Sequence, residues 1–203
     1  MRVIAGTAKG RPLKAPPTMG TRPMTDRLKT SLFDTLTPFG ISGARVLDLY
    51  AGSGSLGIEM LSRGADWCDF VEQSASVVRV IQDNLRTTGM ADKAHVFKMP
   101  VERFLTTTGG NGRATGQTEY DIITLDPPYA DPRIERTLES VATQPALAED
   151  GLVVIGHATQ VKLADEYGGG RLRRVRHRVM GGSAFSIYEV AGPASSEGVD
   201  RTQ

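Results

Sequence analysis

The sequence predicts an α/β protein with a mostly parallel, doubly wound sheet that ends in an antiparallel hairpin. From Arg45 onward, strand-length apolar runs alternate with segments of helical periodicity. A glycine-rich loop, AGSGSLG, joins the first of these runs to the first of these helices. The last two apolar-containing runs are separated by Gly181 and Gly182, which is a strong hairpin signal. Repeated βαβ units favour a parallel sheet with helices on both faces.

The region before the first long helix is expected to be a small basic arm. RVIAGTAKGRPLKAP contains two short apolar runs with glycines and prolines, as in a hairpin, and PPTMGTRPM is expected to be an irregular loop. Thr25 is a candidate N-cap for a helix that ends before Pro38, and its apolar face consists of Leu28, Leu32, Phe33 and Leu36. We therefore divide the chain into an arm (1–24), a main domain (25–190) and a flexible tail (191–203).

The main domain is expected to contain five parallel strands and a final hairpin. The strands are ARVLDLY, WCDFVE, HVFKM, YDIITLD and GLVVIGH. The intervening helices are SLGIEMLSR, residues 74–88 with Gly89 as terminator, VERFLT, and DPRIERTLESVAT. LRRVRHRVM and SAFSIYEV form the hairpin, and the segment 106–118 is expected to be a surface loop.

Composition excludes several classes of protein. A chain of 203 residues suits one domain, and no run of about 18 apolar residues exists that could span a membrane. The first residues lack the apolar region of a secretory signal. The single cysteine, Cys68, excludes an internal disulfide framework and is expected to be a buried strand thiol. A cytoplasmic protein is the expectation.

The net charge of +1 conceals two basic clusters. Residues 1–30 hold seven basic groups and one acid, so the remaining 17 basic and 22 acidic groups leave a net charge of −5. The second cluster consists of Arg171, Arg173, Arg174, Arg176 and Arg178. Local basic patches on a near-neutral protein indicate contact with a polyanion, although solvated faces and flexible ends explain such charge equally well.

The glycine loop has the arrangement of a nucleotide-binding site. Gly52, Gly54 and Gly57 allow a tight turn, close approach to a ligand, and close packing of the helix on a strand. Glu72 follows 18 residues after Gly54, at the end of the second strand, where a carboxylate can accept hydrogen bonds from both hydroxyls of a ribose. This arrangement suits NAD as well as S-adenosylmethionine, so the loop alone leaves the cofactor open.

A second motif, Asp126-Pro127-Pro128-Tyr129, ends the fourth strand. Ligands of open α/β sheets bind beyond the carboxyl ends of the strands at the switch point, which is flanked by strands one and four. The amine of a guanine, adenine or cytosine is a poor nucleophile, because its lone pair is drawn into the ring. Asp126 and the Pro127 carbonyl could hold both amine hydrogens while Tyr129 stacks on the base. Methyl transfer then depends chiefly on positioning. No metal is expected, since no His or Cys pair has ligand spacing.

Together these motifs resemble the bacterial 16S ribosomal RNA guanine-N2 methyltransferases of the RsmD type. The resemblance runs from Arg2 to about Tyr188 and includes RVIAGTAKGR, TRPMTDRLKTSLF, LDLYAGSGSLGIEMLSRGA, the Val71-Glu72 pair and DPPY. It implies a class I methyltransferase, Rossmann-like fold. It also implies S-adenosyl-L-methionine as cofactor, S-adenosyl-L-homocysteine as product, and 16S rRNA or the small ribosomal subunit as partner of a chain that is expected to be a monomer.

The resemblance also implies roles for individual residues. The cofactor would lie against Glu72 at its ribose, Val101 at its adenine, and Asp48, Ala51, Gly52, Ser53 and Gly54 along its methionine end. Asp126, Pro127 and Tyr129 would be catalytic. Arg22, Thr25 and Arg27 would shape the entrance, and Arg2, Lys9 and Arg11 would grip RNA phosphates. The chain departs from the pattern at Pro100, Thr30 and His157, where relatives commonly carry other polar groups.

Other functions remain open from the motifs alone. Adenine-N6 and cytosine-N4 methyltransferases acting on DNA or RNA also use Asp-Pro-Pro-Tyr, but this chain has no obvious separate target-recognition domain. Protein-glutamine methyltransferases normally carry Asn in place of Asp126. A non-catalytic RNA-binding assembly factor could also retain the fold, but the intact glycine loop, Glu72 and DPPY argue against it.

Overall fold

The computed structural model describes residues 1–16, 24–107, 119–128 and 131–191, and its centre is an eight-stranded mixed sheet. In chain order the strands are β1 (Arg45–Leu49), β2 (Trp67–Glu72), β3 (Ala94–Lys98), β4 (Tyr120–Leu125), β5 (Leu147–Ala158), β6 (Glu166–Tyr167), β7 (Leu172–Met180) and β8 (Ser183–Val190). The helices are α1 (Asp26–Leu36), α2 (Ser55–Ser62), α3 (Ala75–Thr88), α4 (Val101–Thr107) and α5 (Ile134–Ala142).

The sheet order is β3-β2-β1-β4-β5-β8-β7-β6. The first five strands run parallel, and β8 joins β5 antiparallel before pairing with β7. Strand β1 lies between β2 and β4, so the strand order reverses there, which defines the switch point. The predicted doubly wound sheet, its adjacent first and fourth strands and its antiparallel hairpin are all confirmed.

Two apolar layers cover the sheet. On one face, residues such as Phe33, Ile58 and Ile81 bring α1, α2 and α3 against the strands. On the other face, Phe104 of α4 and Leu138 of α5 pack against the sheet. Cys68 is fully buried, as the sequence predicted. None of the helices in the described ranges is long and apolar enough to cross a membrane.

The structure differs from the sequence-based assignment in three places. Strand β5 begins at Leu147, because Leu147 pairs with Tyr120 across a register shift that precedes the main ladder. Strand β6 was not predicted, since its two residues carry no periodicity. Helix α5 begins only at Ile134, because the Asp131 carboxylate accepts a hydrogen bond from the Arg133 amide and forms a turn there.

The N-terminal segment 1–16 folds back on itself and packs on α2. Val3 donates its amide proton to the Arg11 carbonyl, and Gly10 donates to the Val3 carbonyl. Gly6 has φ +79°, and a Cβ there would lie 1.7 Å from the Ser62 carbonyl oxygen, so this crossing requires glycine. The division into 1–24, 25–190 and 191–203 stays a prediction, since 17–23 and 192–203 lie outside the described residues.

A buried ion pair ties the N-terminal segment to the domain. The Glu59 carboxylate accepts hydrogen bonds from the amides of Ile4 and Ala5, and its Oε2 lies 3.3 Å from Lys29 Nζ. Lys29 also donates to the Arg2 carbonyl. Both charged side chains are at most 1% exposed, and burial lowers the pKa of Lys29. Because a lone buried charge is costly, removing either partner would destabilise the segment's attachment.

Candidate active site

A cavity opens at the switch point, where β1 and β4 end side by side. Six of the residues predicted to bind the cofactor line it: Asp48, Ala51, Gly52, Ser53, Glu72 and Val101. Asp126 and Pro127 line its other side. The topology therefore brings the glycine loop, the end of β2, the start of α4 and the end of β4 around one space.

The glycine loop turns through left-handed backbone conformations. Tyr50, Gly52 and Gly54 have φ of 55°, 54° and 77°. Gly54 is not among the described residues that line the cavity, and a Cβ there would lie 3.2 Å from Ile81 Cγ2. A Cβ on Gly57 would lie 2.4 Å from Phe70 Cε1. Gly52 therefore faces the cavity, whereas Gly54 and Gly57 allow α2 to approach the sheet and α3.

Asp48 holds the glycine loop in place through hydrogen bonds, and it also lines the cavity. It is 1% exposed, and its carboxylate accepts hydrogen bonds from the Gly57 amide at 3.0 Å and from Thr124 Oγ1 at 2.7 Å. Burial raises the pKa of Asp48 to about 7, although these two hydrogen bonds oppose the rise. Asp48 thus links β1, β4 and the first turn of α2, a structural role that the spacing did not indicate.

Glu72 lies at the carboxyl end of β2, as predicted. Its Oε2 accepts a hydrogen bond from the Gly52 amide at 3.2 Å, and its Oε1 accepts one from the Ser74 amide at 2.8 Å. A carboxylate has about four acceptor positions, so two remain for a ligand after these bonds. The backbone thereby holds Glu72 in place, with its carboxylate on the cavity wall.

Asp126 follows β4 and faces the same cavity from the opposite side. Burial raises the pKa of its carboxyl to about 7. Among the described residues, no donor hydrogen-bonds to this carboxylate. The Asp126 carboxyl lies over Gly156 of β5, where an added Cβ would be 2.8 Å from Oδ1 and 3.0 Å from Met24 Cε. The arrangement gives a largely desolvated carboxylate acceptor, which suits a hydrogen-bond donor on a substrate.

The remaining predicted residues lie away from the cavity lining or outside the described part. Thr25 caps α1 by accepting a hydrogen bond from the Leu28 amide, and Arg27 is exposed in its first turn. Arg2 pairs with Asp26, Arg11 donates to the Thr87 carbonyl, and Lys9 is exposed. None of these five residues lines the cavity. Arg22 and Tyr129 lie outside the described residues, as do most of the loop 106–118 and the tail.

Sequence reasoning missed several residues of the cavity wall. Met1, Pro16 and Met24 reach it from the N-terminal region, and their types carry no signal for such a position. Glu102 and Arg133 also line the cavity, and Arg133 binds both Glu102 and Asp131 at 2.8 Å. This bridge ties Asp131 and the start of α5 to the first turn of α4. In the sequence, Glu102 directly follows Val101, which was predicted to lie at the adenine, and this proximity was the one sequence signal for its position.

Two histidines that are far apart in the sequence lie in contact. The rings of His157 and His177 stack with centroids 5.6 Å apart, and both hydrogen-bond to Ser186 Oγ. Pairing between β5, β8 and β7 brings them together from distant sequence positions. In the described ranges, no three His, Cys, Asp or Glu side chains form a group that could hold a metal ion.

Comparison with known proteins places this architecture in a family. The sheet order and the switch-point cavity define the class I methyltransferase fold. A family model described as conserved hypothetical protein 95 matches residues 1–189, and the chain belongs to that family, the RsmD type that its motifs resemble.

Named relatives match over nearly the whole chain. The chain is 38% identical over 192 residues to "Putative rRNA methyltransferase YlbH" of Bacillus subtilis (strain 168), covering 95% of this chain and 100% of that protein. It is 31% identical over 197 residues to ribosomal RNA small subunit methyltransferase D of Escherichia coli (strain K12), covering 97% and 93%.

Solved structures share the fold. A structure titled "Putative methyltransferase yhhF from Escherichia coli" superimposes with a TM-score of 0.78 at 30% identity, covering 95% of this chain and 99% of that one. A Salinibacter ruber RNA methyltransferase in complex with S-adenosyl-L-homocysteine has a TM-score of 0.57 at 16% identity, covering 86% and 95%.

Proposed function

We propose that this protein transfers a methyl group from S-adenosylmethionine to the N2 amine of a guanine in 16S rRNA. The observation that carries the proposal is the position of Asp126 and Glu72 on opposite walls of one cavity at the switch point. Rossmann-like sheets bind nucleotide cofactors at this point. The relatives named as rRNA methyltransferases support the choice of substrate.

The residues of the cavity fit the cofactor. Glu72 offers two free acceptor positions, which suits the two hydroxyls of a ribose. Carboxyls of Asp48 and Glu72 line the cavity on the side opposite Asp126, and this acidic lining suits a ligand with a sulfonium and an ammonium group. Val101 gives the adenine a buried apolar wall. S-adenosylmethionine supplies a methyl group on a positively charged sulfur, which a nucleophile can displace.

Asp126 would hold and orient the target amine. Its ionised carboxylate accepts a hydrogen bond from one N2 hydrogen, and the Pro127 carbonyl accepts one from the other. These bonds would direct electron density toward the N2 nitrogen, which would form a bond to the methyl carbon. The electron pair of the carbon–sulfur bond would leave with the sulfur of S-adenosyl-L-homocysteine, and the amine proton would pass to solvent water. Tyr129 would stack on the extruded base, a contact worth about 1–3 kcal/mol in related complexes.

Basic groups on the N-terminal segment and at the start of α1 would position the RNA. Lys9 is exposed on the N-terminal segment, and Arg27 is exposed at the start of α1. Arg2, Arg11, Arg22 and Thr25 belong to the same proposed surface. Contacts of this kind bind phosphates and make affinity depend on salt. A monomer in the cytoplasm, where small ribosomal subunits are present, completes the proposal.

Transfer of tritium from labelled cofactor to unmethylated small ribosomal subunits tests the proposed activity. Wild-type protein should label the rRNA, and Asp126→Ala should bind the cofactor with unchanged affinity while losing most of the transfer. An Asp126→Ala variant that turns over at the wild-type rate would remove Asp126 from the mechanism. Cofactor binding without transfer by the wild type would instead favour a non-catalytic assembly factor.

A further inference from the structure

The C-terminal hairpin presents a basic surface on the same face of the sheet as the Asp126 carboxyl. Gly156 of β5 pairs with Phe185 of β8, and Phe185 pairs with Arg178 of β7. Directly paired residues of neighbouring strands point to the same face of a sheet. Since the carboxyl of Asp126 lies over Gly156, the side chain of Arg178 projects on that face as well.

The distance between Arg178 and the site is short. Neighbouring strands are about 4.8 Å apart, so two steps from β5 to β7 place Arg178 roughly 10 Å from Gly156. The hairpin turn lies at the cavity edge of the sheet, because Ala158 at the end of β5 pairs with Ser183 at the start of β8. Arg178 therefore lies near the cavity edge of the sheet, two strands away from Gly156.

Only part of the second basic cluster is available to a ligand. Arg171 donates to the carbonyls of Ala142, Gln144 and Leu147 and is thus structural. Arg174 binds Asp165 and the Leu163 carbonyl. These two arginines hold the loops beside β6 and α5 in place, which explains their presence without a polyanion.

Arg176 and Arg178 differ from those arginines. Both are exposed, and Arg176 pairs with Ile187, whose side chain belongs to the same sheet face as Phe185. Among the described residues, Arg176 donates to its neighbour's carbonyl, at Val175. Within the described ranges, Arg178 has no hydrogen-bond or ion-pair partner. No acidic residue occurs between positions 171 and 188.

We infer that Arg176 and Arg178 bind phosphates of the substrate RNA that flank the target nucleotide. This inference rests on the proposed function and extends the RNA surface from the N-terminal segment across α1 to β7. Side chains two residues apart on a strand are about 6.7 Å apart, so the two guanidinium groups can contact separate phosphates. Guanidinium groups bind phosphate oxygens in a bidentate manner, and such contacts fix the register of the RNA without reading its bases.

The test compares Arg176→Gln/Arg178→Gln with a matched control, Arg173→Gln. Arg173 is an exposed arginine on the same strand, but it pairs with Glu166 at the end of β7 far from the cavity. Binding to small ribosomal subunits that lack the modification, the substrate of the transfer assay, is measured from 50 to 200 mM salt. The double variant should bind about tenfold more weakly at low salt. Its plot of log affinity against log salt should be less steep, with a slope whose magnitude is smaller by about 1.4.

Further readouts separate RNA contact from a structural role. In the double variant, KM for RNA should rise while kcat and cofactor affinity stay unchanged, and Arg176→Lys/Arg178→Lys should restore most of the affinity and the salt slope. Wild-type affinity in the Gln double variant, or an equal loss in Arg173→Gln, would overturn the inference while leaving the proposed function intact. A wild-type protein that does not bind these subunits would overturn both.

Discussion

The raised pKa of the Asp126 carboxyl predicts that this group lowers the stability of the protein as the pH rises. Burial raises the pKa of Asp126 from 3.8 in the unfolded chain to about 7 in the folded protein. A carboxyl whose folded pKa is raised stabilises the protein below pH 3.8, and this contribution is lost between pH 3.8 and about 7. Three pKa units correspond to at most about 4 kcal/mol. Because Asp126 keeps partial solvent exposure, we expect about 2 kcal/mol.

Asp126→Asn removes the ionisable carboxyl and tests the expected loss of stability. In chemical denaturation, the variant should be more stable than wild type, and the difference should grow by about 1–2 kcal/mol between pH 5 and pH 8. Asp92→Asn, which removes an exposed carboxyl before β3, serves as the control for charge. A difference between Asp126→Asn and wild type that stays constant over this pH range would refute the assignment of a desolvated Asp126.

Four further predictions follow from particular contacts. The wild-type transfer rate should rise with pH to about 7 and then level off, because only the ionised Asp126 accepts the amine hydrogens; a flat profile from pH 5.5 to 8.5 would contradict this. Glu72→Ala should weaken cofactor binding, measured by calorimetry, by at least tenfold because it removes a charged acceptor, and unchanged affinity would remove Glu72 from the ribose site. Gly57→Ala should lower the free energy of unfolding by about 1–3 kcal/mol through its contact with Phe70, and a neutral result would show that α2 can move away. Glu59→Gln should cost about 3 kcal/mol by leaving Lys29 without its buried partner, and a loss below 1 kcal/mol would mean that Lys29 is neutral there.

Local sequence patterns predicted most of the fold. The apolar run from Trp67 to Glu72 and the hairpin strands around Gly181 match their observed bounds, because their burial or pairing follows directly from the pattern. The early start of β5 escaped prediction, since Glu149 and Asp150 interrupt its apolar run and only pairing with β4 makes it a strand. Short or polar strands are defined by their neighbours, which a single sequence does not show.

The candidate site was predictable where a motif coincides with a strand end. Glu72 and Asp126 each end a buried parallel strand, and the sheet then brings them to one edge by geometry. Met1, Met24 and Arg133 reach the cavity from segments without a motif, so their places depend on tertiary packing. The same holds for the contact between His157 and His177, which arises from pairing of three strands.

The central claim, methylation of a guanine amine, is tested most directly by identifying the modified nucleoside. Small ribosomal subunits that lack the modification are incubated with the protein and labelled S-adenosylmethionine, and the rRNA is digested to nucleosides and separated. We predict that the label appears as N2-methylguanosine and that Asp126→Ala abolishes it. Label that appears only as N6-methyladenosine or N4-methylcytidine would contradict the claim, although it would leave the methyl-transfer site itself in place.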